Sequence, residues 1–217
     1  MNAIFKKARD PISSYTHCIG AVFAIIGTIV LVIKSALSPT FDIIAFCSVL
    51  VFGFSMISLY TASSVYHFVS ASPEKLLRLR KMDHAMIYVL IAGSYTPLLL
   101  KFFNPDFAVI FTICIWTLAF IGIIIKIFWF HAPRMLSTSL YLLLGWAIAV
   151  DFSAILKLSS VGLVLLALGG FSYTIGGIIY AIKKPNLSAE FGFHEIFHVF
   201  VMLGTFFHFL VVLFFVI

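Results

Sequence analysis

A chain of 217 residues with 63% hydrophobic and only 10% charged residues, and a mean hydropathy of +1.17, cannot coat itself in polar surface. That excludes a soluble globular domain and leaves lipid as the main solvent. About 20 mostly apolar residues cross a hydrocarbon layer, so seven such segments would fill nearly the whole chain. The formal charge of +6 does not argue for a nucleic-acid partner, because the charges fall at the ends of the apolar runs.

The opening stretch MNAIFKKARDP is polar and basic. The apolar run behind it is too long for a signal-peptide core and has no small-residue cleavage site after it, so the first helix is expected to insert and stay. Hydropathy predicts spans over 16–37, 43–69, 84–102, 107–130, 137–156, 161–182 and 194–217. Breaks fall at Ser38-Pro39, Ser72-Pro73, Asn104-Pro105, Pro133, Ser159-Ser160 and Pro185-Asn186. The fifth and sixth spans are separated only weakly, by Asp151 and Lys157. Cys18, Cys47 and Cys114 lie inside apolar runs and suggest no disulfide framework. The expected fold is all-α: a single seven-helix transmembrane domain covering 1–217, with no internal repeat.

Eleven of the fourteen Lys and Arg residues fall at one set of span ends: Lys6, Lys7 and Arg9, then Lys75, Arg78, Arg80 and Lys81, then Lys126, Arg134, Lys183 and Lys184. Only Lys34, Lys101 and Lys157 fall at the other. The asymmetry predicts a cytoplasmic amino terminus and, after seven crossings, an external carboxyl terminus.

Ionisable groups inside spans are costly and usually face the bundle interior, which makes each a functional candidate. His67 closes the second span, Asp83 opens the third, and His194 and His198 open the seventh, all at the basic face. His194 and His198 are four apart, on one helix face and about one turn from each other. That spacing lets two imidazoles share a metal ion, and His67 supplies a third nitrogen. Three protein ligands with an open position describe a catalytic zinc site. Ser63, one turn before His67, is placed to reach a water at the metal, and Asp83 to accept its hydrogen bond or proton. The alternative is a hydrogen-bonded polar network that only packs this end of the bundle. His84 points about 100° away from Asp83 on a helix and stays outside the ligand set. His208 lies roughly 15 Å beyond His198 along the axis and is expected to hydrogen-bond a Ser or Tyr of a neighbouring helix. Asp151 should cap a helix or line an outward pocket.

Three stretches, YTASSVYH from Tyr60 to His67, DHAMIYVLIAGSYTP from Asp83 and HEIFHVFVMLGTFFHF from His194, resemble the bacterial hemolysin III family. That family belongs to the progestin and adipoQ receptor superfamily. The resemblance runs in order from about Asp10 to the carboxyl end. It implies a seven-helix bundle in the bacterial plasma membrane, with a cytoplasmic amino terminus and a zinc ion near that face. The ligands it implies are His67, His194 and His198, with Asp83 near the zinc water and Ser63 as the serine of an SxxxH motif. Many relatives open the first helix with a glutamate-asparagine pattern. Here the stretch reads RDPISSYTH, with Asp10 the nearest acid and no defined role for it, and with His17 expected to cap or pack.

Three functions fit these residues. The first is a zinc-dependent hydrolase of a lipid amide or ester, with membrane lipids as partners and a lipid as substrate; its counterpart is a zinc that only pins helices together. The second is a membrane-intrinsic metalloprotease, since His194-Glu195-Ile196-Phe197-His198 matches HExxH with Glu195 as base. The third is non-enzymatic, a cytolysin or a lipid-sensing receptor. Spans that are apolar on every face argue against a soluble toxin that inserts later.

Overall fold

The computed structural model describes residues 5–188 and 190–217, all helical or loop, with no strand among them. A 3-10 turn at Phe5–Lys7 precedes α1 (Pro11–Ala36), α2 (Ile43–Phe68), α3 (Pro73–Phe102) and α4 (Pro105–Phe128). The fifth span is broken: α5 (Arg134–Trp146) passes through a 3-10 segment, Ala147–Asp151, into the short α6 (Phe152–Ile155). It is followed by α7 (Ser160–Ile182) and by α8 (Phe193–Val211), which ends in a π turn at Val212–Val216. Seven segments are long and apolar enough to cross a membrane, so the chain is a multi-pass membrane protein.

Helix starts follow the punctuation, but earlier than hydropathy places them. Pro11, Pro73 and Pro105 each occupy the first turn of a helix, where proline's fixed φ suits the helix and its missing N–H costs nothing. Ser72 and Asn104 cap α3 and α4 through their side chains. The predicted third span, 84–102, is therefore the membrane part of a longer helix. The 30 residues of α3 reach about 45 Å, so its first basic turns project beyond the hydrocarbon. Asp151 accepts the Ala154 N–H at 3.1 Å and so caps α6.

Neighbours in sequence pack side by side, α1 on α2, α2 on α3, α3 on α4, α7 on α8, with α8 closing back onto α1 and α5 onto α7. One apolar core runs through the bundle, from Val49, Phe52 and Met56 to Leu90, Leu99 and Val211. Large apolar side chains such as Phe23, Phe54 and Leu143 lie exposed on the outside, which lipid rather than water accounts for. Buried serines return their hydroxyls to the preceding turn, Ser48 to Ala45 O and Ser55 to Phe52 O, each at 2.7 Å.

The break in the fifth span frees backbone groups that lipid cannot satisfy. Tyr95 of α3 answers them. Its hydroxyl donates to Leu144 O and Gly145 O at 2.9 and 2.8 Å and accepts the Ile148 N–H at 2.8 Å.

Candidate metal centre

The end of α2 and the start of α1 are tied together before any functional side chain is considered. Asp10 N donates to His67 O at 2.9 Å and Arg9 N to Phe68 O at 3.3 Å. One turn deeper, Ser14 and Ser64 each give a hydroxyl to the other's carbonyl, both at 3.0 Å. This clamp sets the Asp10 carboxylate against His67, with Oδ2 at 2.9 Å from Nδ1. Arg9 donates to the same oxygen from Nε and Nη2, at 3.0 and 2.7 Å, while its guanidinium lies over Tyr66. Partial burial pushes the Asp10 carboxyl up, but the hydrogen bond from His67 and then the bond and charge of Arg9 outweigh it and hold the pKa near 2. Asp10 favours the His67 tautomer that donates from Nδ1, the one in which Nε2 offers a free lone pair.

That lone pair faces α8. His67 Nε2 is 3.2 Å from His194 Nε2. One nitrogen from each of His67, His194 and His198 lies within 4.8 Å of the others, so this group could hold a metal ion. Two nitrogens bound tetrahedrally at 2.0–2.1 Å sit about 3.3 Å apart, so the closest pair already has ligand spacing. His67 and His198 are only 3% and 2% exposed, and His198 Nδ1 has no hydrogen-bond partner. Buried imidazoles facing one another with an unused nitrogen fit a divalent ion of the kind that imidazole favours.

Ser63 and Asp83 lie at the same end of the bundle. Both line, with His17, His194 and His198, a cavity of about 120 Å³ enclosed by α1, α2, α3, α5, α7 and α8. Ser63 is fully buried and Asp83 partly so, beside it. The cavity's walls are apolar, and from Asp83 to Tyr95 it follows α3 for about 18 Å. Its far end reaches Trp146 and His208.

Glu195 does not share this environment. Its Oε2 reaches back to accept the Gly192 N–H at 2.9 Å at the start of α8, and its Oε1 accepts the Ser13 hydroxyl at 2.7 Å. His17 packs: its ring stacks on His198 at 3.6 Å and meets the edge of Tyr60 at 5.2 Å. The hydrogen bond expected of His208 is not found, since neither ring nitrogen has a partner among the described residues. Thr205 holds the two nearby tyrosines instead, Tyr60 at 2.6 Å and Tyr173 at 2.9 Å, leaving His208 only the edge of the Tyr173 ring. The residue that sequence reasoning left without a role is Asp10; its one signal was an acid directly before the proline that starts α1.

Fold and site together define a seven-span membrane protein with three imidazoles gathered at one end of an internal apolar cavity. Comparison with known proteins agrees with that class and sharpens it. The haemolysin-III-related family matches residues 5–209. The Hemolysin-3 homolog of Bacillus subtilis (strain 168) is 36% identical over 214 residues, 98% of this chain and 96% of that protein. Hemolysin-3 of Bacillus cereus is 36% identical over 207 residues, covering 94% and 90%. The chain belongs to the haemolysin-III family, and a place in the progestin and adipoQ receptor superfamily is consistent with this.

Proposed function

We propose that this protein is a zinc-dependent membrane hydrolase that cleaves a lipid amide or ester, working at the face that carries the amino terminus. The observation that carries the reading is the meeting of three histidines, one of them oriented by a carboxylate, with a second carboxylate at the end of an apolar cavity. His67, His194 and His198 would hold the ion. Zinc there supplies Lewis acidity, which polarises a carbonyl and makes water a readier proton donor. Asp83 takes the proton as the water oxygen attacks the acyl carbon, and returns it to the nitrogen or oxygen that leaves when the acyl bond breaks. Ser63 donates its hydroxyl to the carbonyl oxygen as charge builds there. Asp10 holds His67 in the tautomer that binds metal. The apolar walls receive the acyl chain and keep bulk water out.

Against the metalloprotease reading, one oxygen of Glu195 is tied to the start of α8 and the other to Ser13 of α1. The name of the Bacillus cereus relative suggests lysis. Dye release from liposomes that carry the purified protein, compared with a His194→Ala form, separates that activity from metal chemistry.

The test is fatty-acid release from N-acyl and O-acyl lipids by the zinc-loaded protein in liposomes. Release should vanish in Asp83→Asn while metal stays bound, and vanish together with metal in His67→Ala. A zinc-loaded wild type that releases no acyl chain from either lipid class would reduce the site to a pin between helices.

A further inference from the structure

Beside the cavity, at the end near the candidate metal centre, lie three cations that form no ion pair among the described residues, although the Asp83 carboxylate stands in the same region. Lys126, in the last turn of α4, is 5% exposed, and its ammonium donates to Ser137 Oγ at 2.8 Å. An ammonium has three N–H donors, and this is the one bond it makes to a described residue. A lysine near a membrane face ordinarily extends its stem toward water. Lys126 is instead tucked between Phe130 and Tyr141, with Nζ 5.8 and 6.0 Å from their ring centres. The carboxyl end of α4 favours a cation in its last turn; that accounts for the residue type and not for its burial.

Two more cations gather at the same place. The Arg80 guanidinium lies 5.1 Å from the centre of Phe130, whose ring also meets the edge of His84 at 5.6 Å. Arg134 lies 4.7 Å from the centre of Tyr180 and donates to Tyr180 O. Tyr141, Tyr180 and His84 all line the cavity, so the charges stand directly behind its wall at this end. Among the described residues the ion pairs are those of Asp10 with Arg9 and His67, and neither Arg80, Lys126 nor Arg134 takes part in one. A charge buried in a membrane protein without a counter-charge is costly unless something answers it.

We propose that Lys126, with Arg80 and Arg134, forms a subsite for the anionic headgroup of a lipid, a phosphate or carboxylate, whose chain occupies the apolar cavity. A lipid is the source favoured over a free anion because the ammonium is buried between two aromatic rings, one of which walls the apolar cavity. The inference rests on the hydrolase reading only in taking this lipid as the substrate; the headgroup contacts themselves involve none of the three histidines.

The test titrates the full-length protein in detergent with dioleoyl phosphatidylglycerol, with dioleoyl phosphatidylcholine and with inorganic phosphate, reading bound lipid by native mass spectrometry. Phosphatidylglycerol should bind in preference to phosphatidylcholine, and inorganic phosphate should fail to displace it. Lys126→Gln should weaken binding by about tenfold, as expected for loss of a charge-assisted contact, and Lys126→Arg should restore most of it. Arg80→Gln, at an exposed side chain that folding does not depend on, should weaken it by about threefold and serves if Lys126→Gln fails to fold. Equal binding of the two lipids, displacement by phosphate, or wild-type affinity in both glutamine variants would overturn the proposal. His67→Ala should keep the lipid while losing metal. A wild type that binds no metal yet shows Lys126-dependent lipid binding would sink the hydrolase reading and leave the subsite standing.

Discussion

Asp10 is one hydrogen bond from His67, a ligand of the proposed metal site, and its effect should be separable from that of the ligands. Carboxylates that hold a ligating histidine typically contribute 10–100-fold in metal affinity. Asp10→Asn should therefore weaken zinc binding within about that range, measured by competition with a chromophoric chelator, while the helical content stays unchanged. Glu195 should behave otherwise. Because its oxygens are tied to the start of α8 and to Ser13 of α1, Glu195→Gln should leave both metal content and turnover close to wild type, whereas Asp83→Asn should abolish turnover alone; the reverse pattern in an acyl-release assay would restore Glu195 as the base. The histidines were legible in the sequence because a four-residue spacing and a common depth need only helix geometry. Asp10 was not, because its meeting with His67 depends on a clamp between Ser14 and Ser64, fifty positions apart. His208 misled for a related reason. Thr205 on its own helix had already taken both tyrosines.

At the scale of the helices, hydropathy found seven spans but stopped at the edge of the hydrocarbon. It missed the first turns of α1 and α3, which are polar and are started by proline rather than by apolar periodicity. It also missed the break in the fifth span, whose backbone is satisfied by a tyrosine from another helix. Tyr95→Phe removes that hydroxyl and should destabilise the protein by about 1–3 kcal/mol, the usual cost of buried groups left unpaired. Thermal unfolding in detergent reads the loss directly, and an unchanged midpoint would mean that the break has other support. Close approach of α2 and α3 depends on Gly93. A Cβ there would lie 2.5 Å from Ser55 Cβ and 2.3 Å from its Oγ, and the Cβ is fixed to the α2 backbone. Gly93→Ala should cost about 1–3 kcal/mol by overpacking. It should also lower acyl release, because the same two helices carry His67 and Asp83. A variant with wild-type stability and turnover would show that the helices part without disturbing the site.

For the molecule as a whole, seven crossings would leave the two termini on opposite faces, and the basic residues are expected to set which is which. Eleven of fourteen lie at the end that carries Asp10 and the histidines, so this end should face the cytoplasm. An alkaline phosphatase fused after Ile217 should be active in cells, and a fusion in the loop between α2 and α3 inactive; the opposite result would put the metal centre outside. Everything proposed for the chemistry depends on one cation bridging helices that are far apart in sequence. Diffraction from zinc-supplied crystals, collected on either side of the zinc absorption edge, addresses this most directly. A single anomalous peak within bonding distance of His67, His194 and His198 is the predicted result, and no peak there despite supplied zinc would contradict it.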